Sequence, residues 1–213
     1  MKISKLKQEV TNNQLMQKKN LKFVIVFLTG SLLTSCALSN SIEKINYQPA
    51  YTVNNTVTNA SSIKLEPMKD ERGYTDEKVI FYKKNMYNQT MSGAYMAEEP
   101  IPQLLTKAIN SGLVKKGITV NAEGKSKTLK STLQKFDYEA VSGFSSAQII
   151  PQIMVKFQLY DENNKVIWTD ILVGKANTKG TNFSKFLPPA IDNLVVQLIN
   201  NESFLQALEG SQE

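Results

Sequence analysis

The chain has 213 residues, with 25 Lys+Arg against 19 Asp+Glu. Six of the lysines and one acid (Glu9) fall in residues 1–35, leaving 19 basic and 18 acidic side chains beyond them. That near-neutral remainder lacks the basic excess of a phosphate-neutralising surface, so no nucleic-acid partner is expected. Histidine is absent and cysteine occurs once. Ser-His-Asp and Cys-His catalysis, the common zinc sites and an intramolecular disulfide are thereby excluded.

Lys18, Lys19 and Lys22 precede an apolar run from Phe23 to Leu33, followed by Thr34-Ser35-Cys36. This is the layout of a secretory signal, and its apolar run falls well short of the roughly 20 residues that span a bilayer. Leu33-Thr-Ser-Cys36 resembles the bacterial lipobox. The resemblance implies cleavage before Cys36 and acylation of its thiol and amine, and two or more acyl chains anchor stably. Residues 1–35 are thus expected to be a lipoprotein signal peptide. Residues 1–15 add nothing that a signal requires, so either Met16 is expected to be the true start or the long head is tolerated. Ala37-Leu38 lacks the aspartate that retains enteric lipoproteins in the inner membrane. By that analogy the destination is the outer membrane, lipid-anchored and facing the periplasm.

Residues 36–60 are read as the acylated cysteine and a flexible tether, rich in asparagine and threonine and spanning about 25–30 Å as a coil. Tyr51-Thr-Val-Asn-Asn-Thr-Val57 offers an edge strand within it. The folded domain is expected over residues 61–213. Ile63 to Glu66 forms a first strand ended by Pro67, followed by a charged turn, Met68 to Gly73. A second strand covers Val79 to Tyr82, and Asn85 to Ala97 reads as irregular. Ile101, Leu104, Leu105, Ala108, Ile109 and Leu113 share one face at 3.6 residues per turn, predicting a helix from Pro100 to Lys116. Glu98 and Glu99 suit its positive end, Lys115 and Lys116 its negative end, and Gly117 its stop.

Beyond Ile118 to Val120, three strands are predicted: Thr128 to Tyr138, Ile149 to Tyr160 and Val166 to Ala176. In the second, Ile149, Pro151, Ile153, Val155, Phe157 and Leu159 alternate with mostly polar residues, as in a sheet covered on one side. Asp161 to Lys165 turns the chain back. A last amphipathic helix runs from Pro189 to Asn201, with a short terminal helix over Ser203 to Leu208. The expected fold is α+β: an antiparallel sheet with two amphipathic helices packed on one face, a two-layer sandwich.

The lipobox, the Asp70-Glu-Arg72 turn, Glu99-Pro-Ile opening a helix that ends at Lys116-Gly-Ile, the meander and the Phe204 tail together resemble the YajG-like family of bacterial envelope lipoproteins. The likeness covers most of residues 60–208. It implies a compartment and a fold more than a mechanism, since the family has no established enzymatic activity; similar lipid-anchored domains serve as accessory or assembly factors, and no cofactor is expected.

Asp70, Glu71, Arg72, Asp76 and Glu77 form the densest charge cluster. Their spacing matches no Ca²⁺ loop, and Arg72 would repel a metal. A solvated loop in which Asp70 caps its own turn and pairs with Arg72 accounts for them. Tyr82, Met86, Tyr87, Met91, Tyr95 and Met96 combine the residue types enriched at interfaces. Asp70, Arg72, Tyr87, Met91 and Tyr95 are therefore the candidate partner-binding residues, and Cys36 the lipidation site. Trp168 is expected to pack in the core. The expected function is a lipid-anchored, non-catalytic envelope lipoprotein that binds another envelope component, a protein or peptidoglycan. The alternative is a ligand-binding or hydrolytic periplasmic lipoprotein using Asp or Glu, which needs a pocket of converging carboxylates.

Overall fold

The computed structural model describes residues 39–53, 56, 62–85, 87, 89–120, 127–142, 147–176, 178–179 and 183–210. By contacts the chain divides into two units. One comprises residues 1–40 and 83–93; the other comprises 41–82 and 94–213 and holds the hydrophobic core.

Ten strands and three helices are described: β1 (Ser41–Glu43), β2 (Ser62–Leu65), β3 (Lys69–Asp70), β4 (Val79–Lys84), β5 (Thr90–Ala97), α1 (Ile101–Lys115), β6 (Thr119–Val120), β7 (Lys127–Ser142), β8 (Ala147–Tyr160), β9 (Val166–Lys175), β10 (Thr178–Lys179), α2 (Phe183–Ile199) and α3 (Glu202–Glu209). They build a three-stranded sheet in the order β1-β5-β4 and a seven-stranded sheet in which β7 and β8 are central. The α+β class is as expected, but the single antiparallel sheet is not. Two sheets are present, and both are mixed. The β7-β8 and β8-β9 pairs are antiparallel, whereas β2 and β3 run parallel to β7 and β1 runs parallel to β5. Turn residues announce a hairpin such as Asp161–Lys165. A parallel pair joins segments some sixty residues apart and leaves no local mark.

β2 and β3 are one interrupted strand. Ile63, Lys64 and Leu65 pair with Lys127, Thr128 and Leu129, and Lys69 and Asp70 pair with Thr132 and Leu133. Pro67 lies between them and has no N–H to donate. The Met68 N–H leaves the sheet to donate to Thr106 Oγ1 of α1 at 3.1 Å. β7 carries a bulge between Leu133 and Lys135, which locally strengthens its twist.

The two predicted periodicities reach the core, on β8 from Pro151 to Leu159; the side chain of Ile149 lies outside the described residues. On β8, Pro151, Ile153, Val155, Phe157 and Leu159 are buried and the intervening residues are half-buried. On α1 the six apolar positions are buried, together with Pro102 and Gly112. The helix closes with a Schellman motif: Gly117 N–H donates to Val114 O, Ile118 N–H donates to Leu113 O, and Gly117 has φ +90°. Only glycine adopts that φ without strain.

Gly112 has a packing reason. A Cβ there would lie 2.2 Å from Val195 Cγ1 of α2 and 3.0 Å from the Tyr51 hydroxyl. Its absence lets the two helices and Tyr51 approach. Gly174 plays the same part where β9 meets α2, since a Cβ would fall 2.4 Å from the Ala190 carbonyl oxygen.

α2 begins six residues earlier than its expected start at Pro189, with Pro188 and Pro189 inside it. These two lack the N–H groups for bonds to residues 184 and 185. Burial of Leu187, Ala190, Ile191, Leu194, Val195 and Leu198 offsets that loss. α3 is capped by Asn201, whose side chain accepts from Phe204 N–H at 3.0 Å. Trp168 donates its indole N–H to Ser203 Oγ at 2.9 Å, and Ser203 donates onward to Asn201 Oδ1 at 2.7 Å. The lone tryptophan is thus a core residue that also positions a helix cap.

Residues 41–53, expected within a flexible tether, are seated on the domain. β1 pairs Ser41, Ile42 and Glu43 with Tyr95, Met96 and Ala97. Ile45, Tyr47, Tyr51 and Val53 then pack against the core. The Tyr47 hydroxyl donates to Asp192 Oδ1 at 2.8 Å, and Ala50 N–H donates to Oδ2 at 3.2 Å. Composition here is polar, yet every second residue from Ile45 to Val53 turns inward, and those anchors suffice. Tyr51–Val53 is not a strand.

Candidate functional site

The charged turn after β3 is a buried clamp. Arg72 and Asp70 lie on the side of β3 that faces the start of β4, and their side chains are only 2% and 6% exposed. Arg72 Nε donates to Asp70 Oδ1 at 2.9 Å and Nη2 donates to Oδ2 at 2.6 Å, a bidentate fork. The same guanidinium donates to the carbonyls of Val79 (2.5 Å), Ile80 (3.3 Å) and Glu77 (3.2 Å). Asp70 Oδ1 also accepts from Arg72 N–H at 3.0 Å, closing the turn. Gly73 follows with φ +78°. Burial opposes ionisation of Asp70, but the hydrogen bonds and charge of Arg72 outweigh it and hold the carboxyl below its usual range.

The pairing within the turn is the expected one, but the pair is not solvated. β4 is an edge of its sheet, with carbonyls that need donors. Arg72 supplies them and so ties β3 of one sheet to β4 of the other. Tyr74 lies against the guanidinium, whose carbon is 4.9 Å from the ring centroid, and meets Tyr82 edge-on at 5.2 Å. A guanidinium making five such bonds has little left for an outside partner, so Asp70 and Arg72 are placed as fold residues.

Tyr95 is half-buried on β5, edge-on to Phe81 with centroids 5.6 Å apart. Burial first, then the neighbouring Tyr138, raises its phenol above the ordinary value. Phe81 also packs on Tyr138 at 4.5 Å and Phe136 at 6.2 Å, so Tyr95 belongs to an aromatic cluster. Met91 is half-buried on the same strand. The expected irregular stretch from Asn85 to Ala97 is therefore mostly strand, since eight of its residues form β5.

Tyr87 differs from the others. It occupies the turn between β4 and β5 and is 76% exposed. Asn85 builds this turn. Its Oδ1 accepts from Tyr87 N–H (2.9 Å) and Gln89 N–H (3.0 Å), and its Nδ2 donates to Gln89 Oε1 at 2.9 Å. The Asn85 N–H closes on the Gln89 carbonyl at 3.0 Å. Within the same unit, Lys83 Nζ donates to the Ser39 carbonyl at 2.8 Å. The turn is a structured display of one aromatic ring.

A second surface escaped the sequence reading. Val166, Ile167 and Ile171 of β9 are 40%, 37% and 50% exposed. Their neighbours Trp168 and Leu172 are buried against α2 and α3. The alternation in Val166-Ile-Trp-Thr-Asp-Ile-Leu-Val173 sets two apolar faces, and sequence does not show which one the helices cover. Cys36, Met16, Met86 and residues 1–35 lie outside the described residues. Among the described residues no group of three or more acidic or thiol side chains is placed to hold a metal, and no helix is long and apolar enough to cross a membrane.

No family model matches the chain, and no curated protein matches it in sequence. Its likenesses are to solved structures. A Xanthomonas campestris protein of the DUF330 family superposes with TM-score 0.50 at 12% identity, covering 79% of this chain and 93% of that one. A minor lipoprotein from Acinetobacter baumannii gives TM-score 0.44 at 13% identity over 67% and 92% of the two chains. A Neisseria meningitidis lipoprotein gives 0.37 at 13% over 66% and 99%. At 12% identity the likeness to the Xanthomonas protein is one of fold. Among the described residues the fold class is mixed α+β, with two sheets and three helices.

Proposed function

We propose that the protein is a lipid-anchored, non-catalytic lipoprotein of the bacterial cell envelope, held in the outer membrane through Cys36 and binding another envelope component. One observation carries the reading: a basic head, an eleven-residue apolar run and Leu33-Thr-Ser-Cys36 stand immediately before the folded body. Lipid supplies position, and the body supplies contact. Because Asp70 and Arg72 are spent inside the fold, the outward Ile167 and Ile171 of β9 are the protein-facing surface in this reading, with peptidoglycan as the other partner class. The carboxylate-based alternative draws no support from the charged turn, whose best-placed acid is neutralised by an arginine fork.

Cys36→Ser is the direct test. The variant should accumulate as an unprocessed precursor without palmitate label, and normal palmitate incorporation would refute the assignment. In intact cells, a photocrosslinker at Ile171 should capture one dominant envelope protein, and a featureless pattern would count against that surface.

A further inference from the structure

We infer that the β4–β5 turn rests on the head-group layer of the bilayer in which Cys36 is anchored, with Tyr87 as the side chain that enters it. The inference deepens the lipoprotein reading and rests on it. Four observations lead there. Ser39 is fixed to the hairpin by Lys83 Nζ at 2.8 Å. Cys36 is three residues upstream, so covalent reach keeps its Cα, the root of the acyl chains, within about 11 Å of the Ser39 Cα. The turn presents Tyr87 at 76% exposure, and Asn85 holds the Tyr87 backbone N–H in place before any partner arrives. Finally, Lys83 to Ala97 contains two lysines and no carboxylate, so no charge on it repels an anionic head-group layer.

An exposed tyrosine beside a lipid anchor suits one environment. Its ring is apolar and its hydroxyl polar, the combination enriched at membrane–water interfaces. The acyl chains already hold the protein at the membrane, so Tyr87 need not supply affinity. Its effect is to fix how the hairpin meets the surface.

The test uses the full acylated protein carrying Tyr87→Trp, reconstituted in phosphatidylcholine–phosphatidylglycerol vesicles with bromine on the upper acyl carbons. The unsubstituted protein measures the background from Trp168, which is 8% exposed. Emission from position 87 should move to shorter wavelength and be quenched by the brominated lipid, beyond the change seen for Trp168 alone. Acylated protein bound to vesicles, with position 87 emitting as in water and unquenched, would overturn the inference and leave the lipoprotein reading intact. A Cys36 peptide carrying no acyl chains by mass spectrometry would remove both. Crosslinking of position 87 to a protein in preference to lipid would also overturn it.

Discussion

At the residue scale the most consequential side chain is Arg72, because one guanidinium satisfies a carboxylate, two β4 carbonyls and the Glu77 carbonyl at once. Arg suits the position and Lys does not, since only the planar fork bonds both carboxylate oxygens and still reaches backbone acceptors. Cutting one partner from a buried pair leaves an uncompensated charge, so Asp70→Ala should cost about 3–5 kcal/mol in urea unfolding. The pH dependence has a fixed sign. The folded carboxyl titrates below its ordinary value of 3.8, so its contribution is present above that pH and is lost as pH falls through the folded value. Asp70→Asn has no proton to gain there. Its acid-unfolding limb should be shallower than that of the parent, and equal slopes below pH 4 would show that the pair carries no linkage.

At the element scale, what could be read in the chain was what repeats locally. The alternation along β8 from Pro151 to Leu159 and the 3.6-residue spacing along α1 appear in the structure, and Asp161–Lys165 is the expected turn, with Asp161 Oδ1 accepting from Asn163 and Lys165 N–H. Partner choice was not readable. Nothing in Ser62–Leu65 names a parallel partner sixty residues away, and Tyr87 looked like its aromatic neighbours until the turn set it apart. The free edge of β9 shows the same non-local control. Gln197 Nε2 donates to the Val173 carbonyl at 3.0 Å, Asn193 Oδ1 accepts from Lys175 N–H at 3.0 Å, and Asp170 Oδ1 accepts from Ile171 N–H at 2.7 Å. Side chains of α2 and of β9 itself thus occupy groups that would otherwise template another strand. Asn193→Ala combined with Gln197→Ala should reopen that edge, beside exposed Ile171. Sedimentation velocity should then show mass rising with concentration beyond the parent's; unchanged sedimentation would mean the edge is closed by other groups.

At the scale of the whole molecule, the decisive feature is how much chain separates Cys36 from the folded body. A coil of two dozen residues would let the domain wander about 25–30 Å from Cys36. With β1 beginning at Ser41, only four residues separate it from Cys36, five Cα steps with a reach of at most about 18 Å. That short leash depends on residues 41–53 staying seated, and Tyr47–Asp192 is the bond that seats them. Burial foremost, then the hydrogen bond and charge of Asp192, pushes the Tyr47 phenol far above its ordinary 10.0. Because the folded value is the higher one, the folded state keeps a proton that the unfolded state releases. The contribution is complete below pH 10 and declines above it. Tyr47→Phe removes both the bond and the titration. At pH 8 the variant should lose about 0.5–1.5 kcal/mol, the net worth of one hydrogen bond. Amide hydrogen exchange should rise in residues 41–53 before it rises in β8. Above pH 10 the stability gap between parent and variant should narrow, and a gap that stayed constant from pH 8 to pH 11 would show that Asp192 does not hold the segment through this phenol.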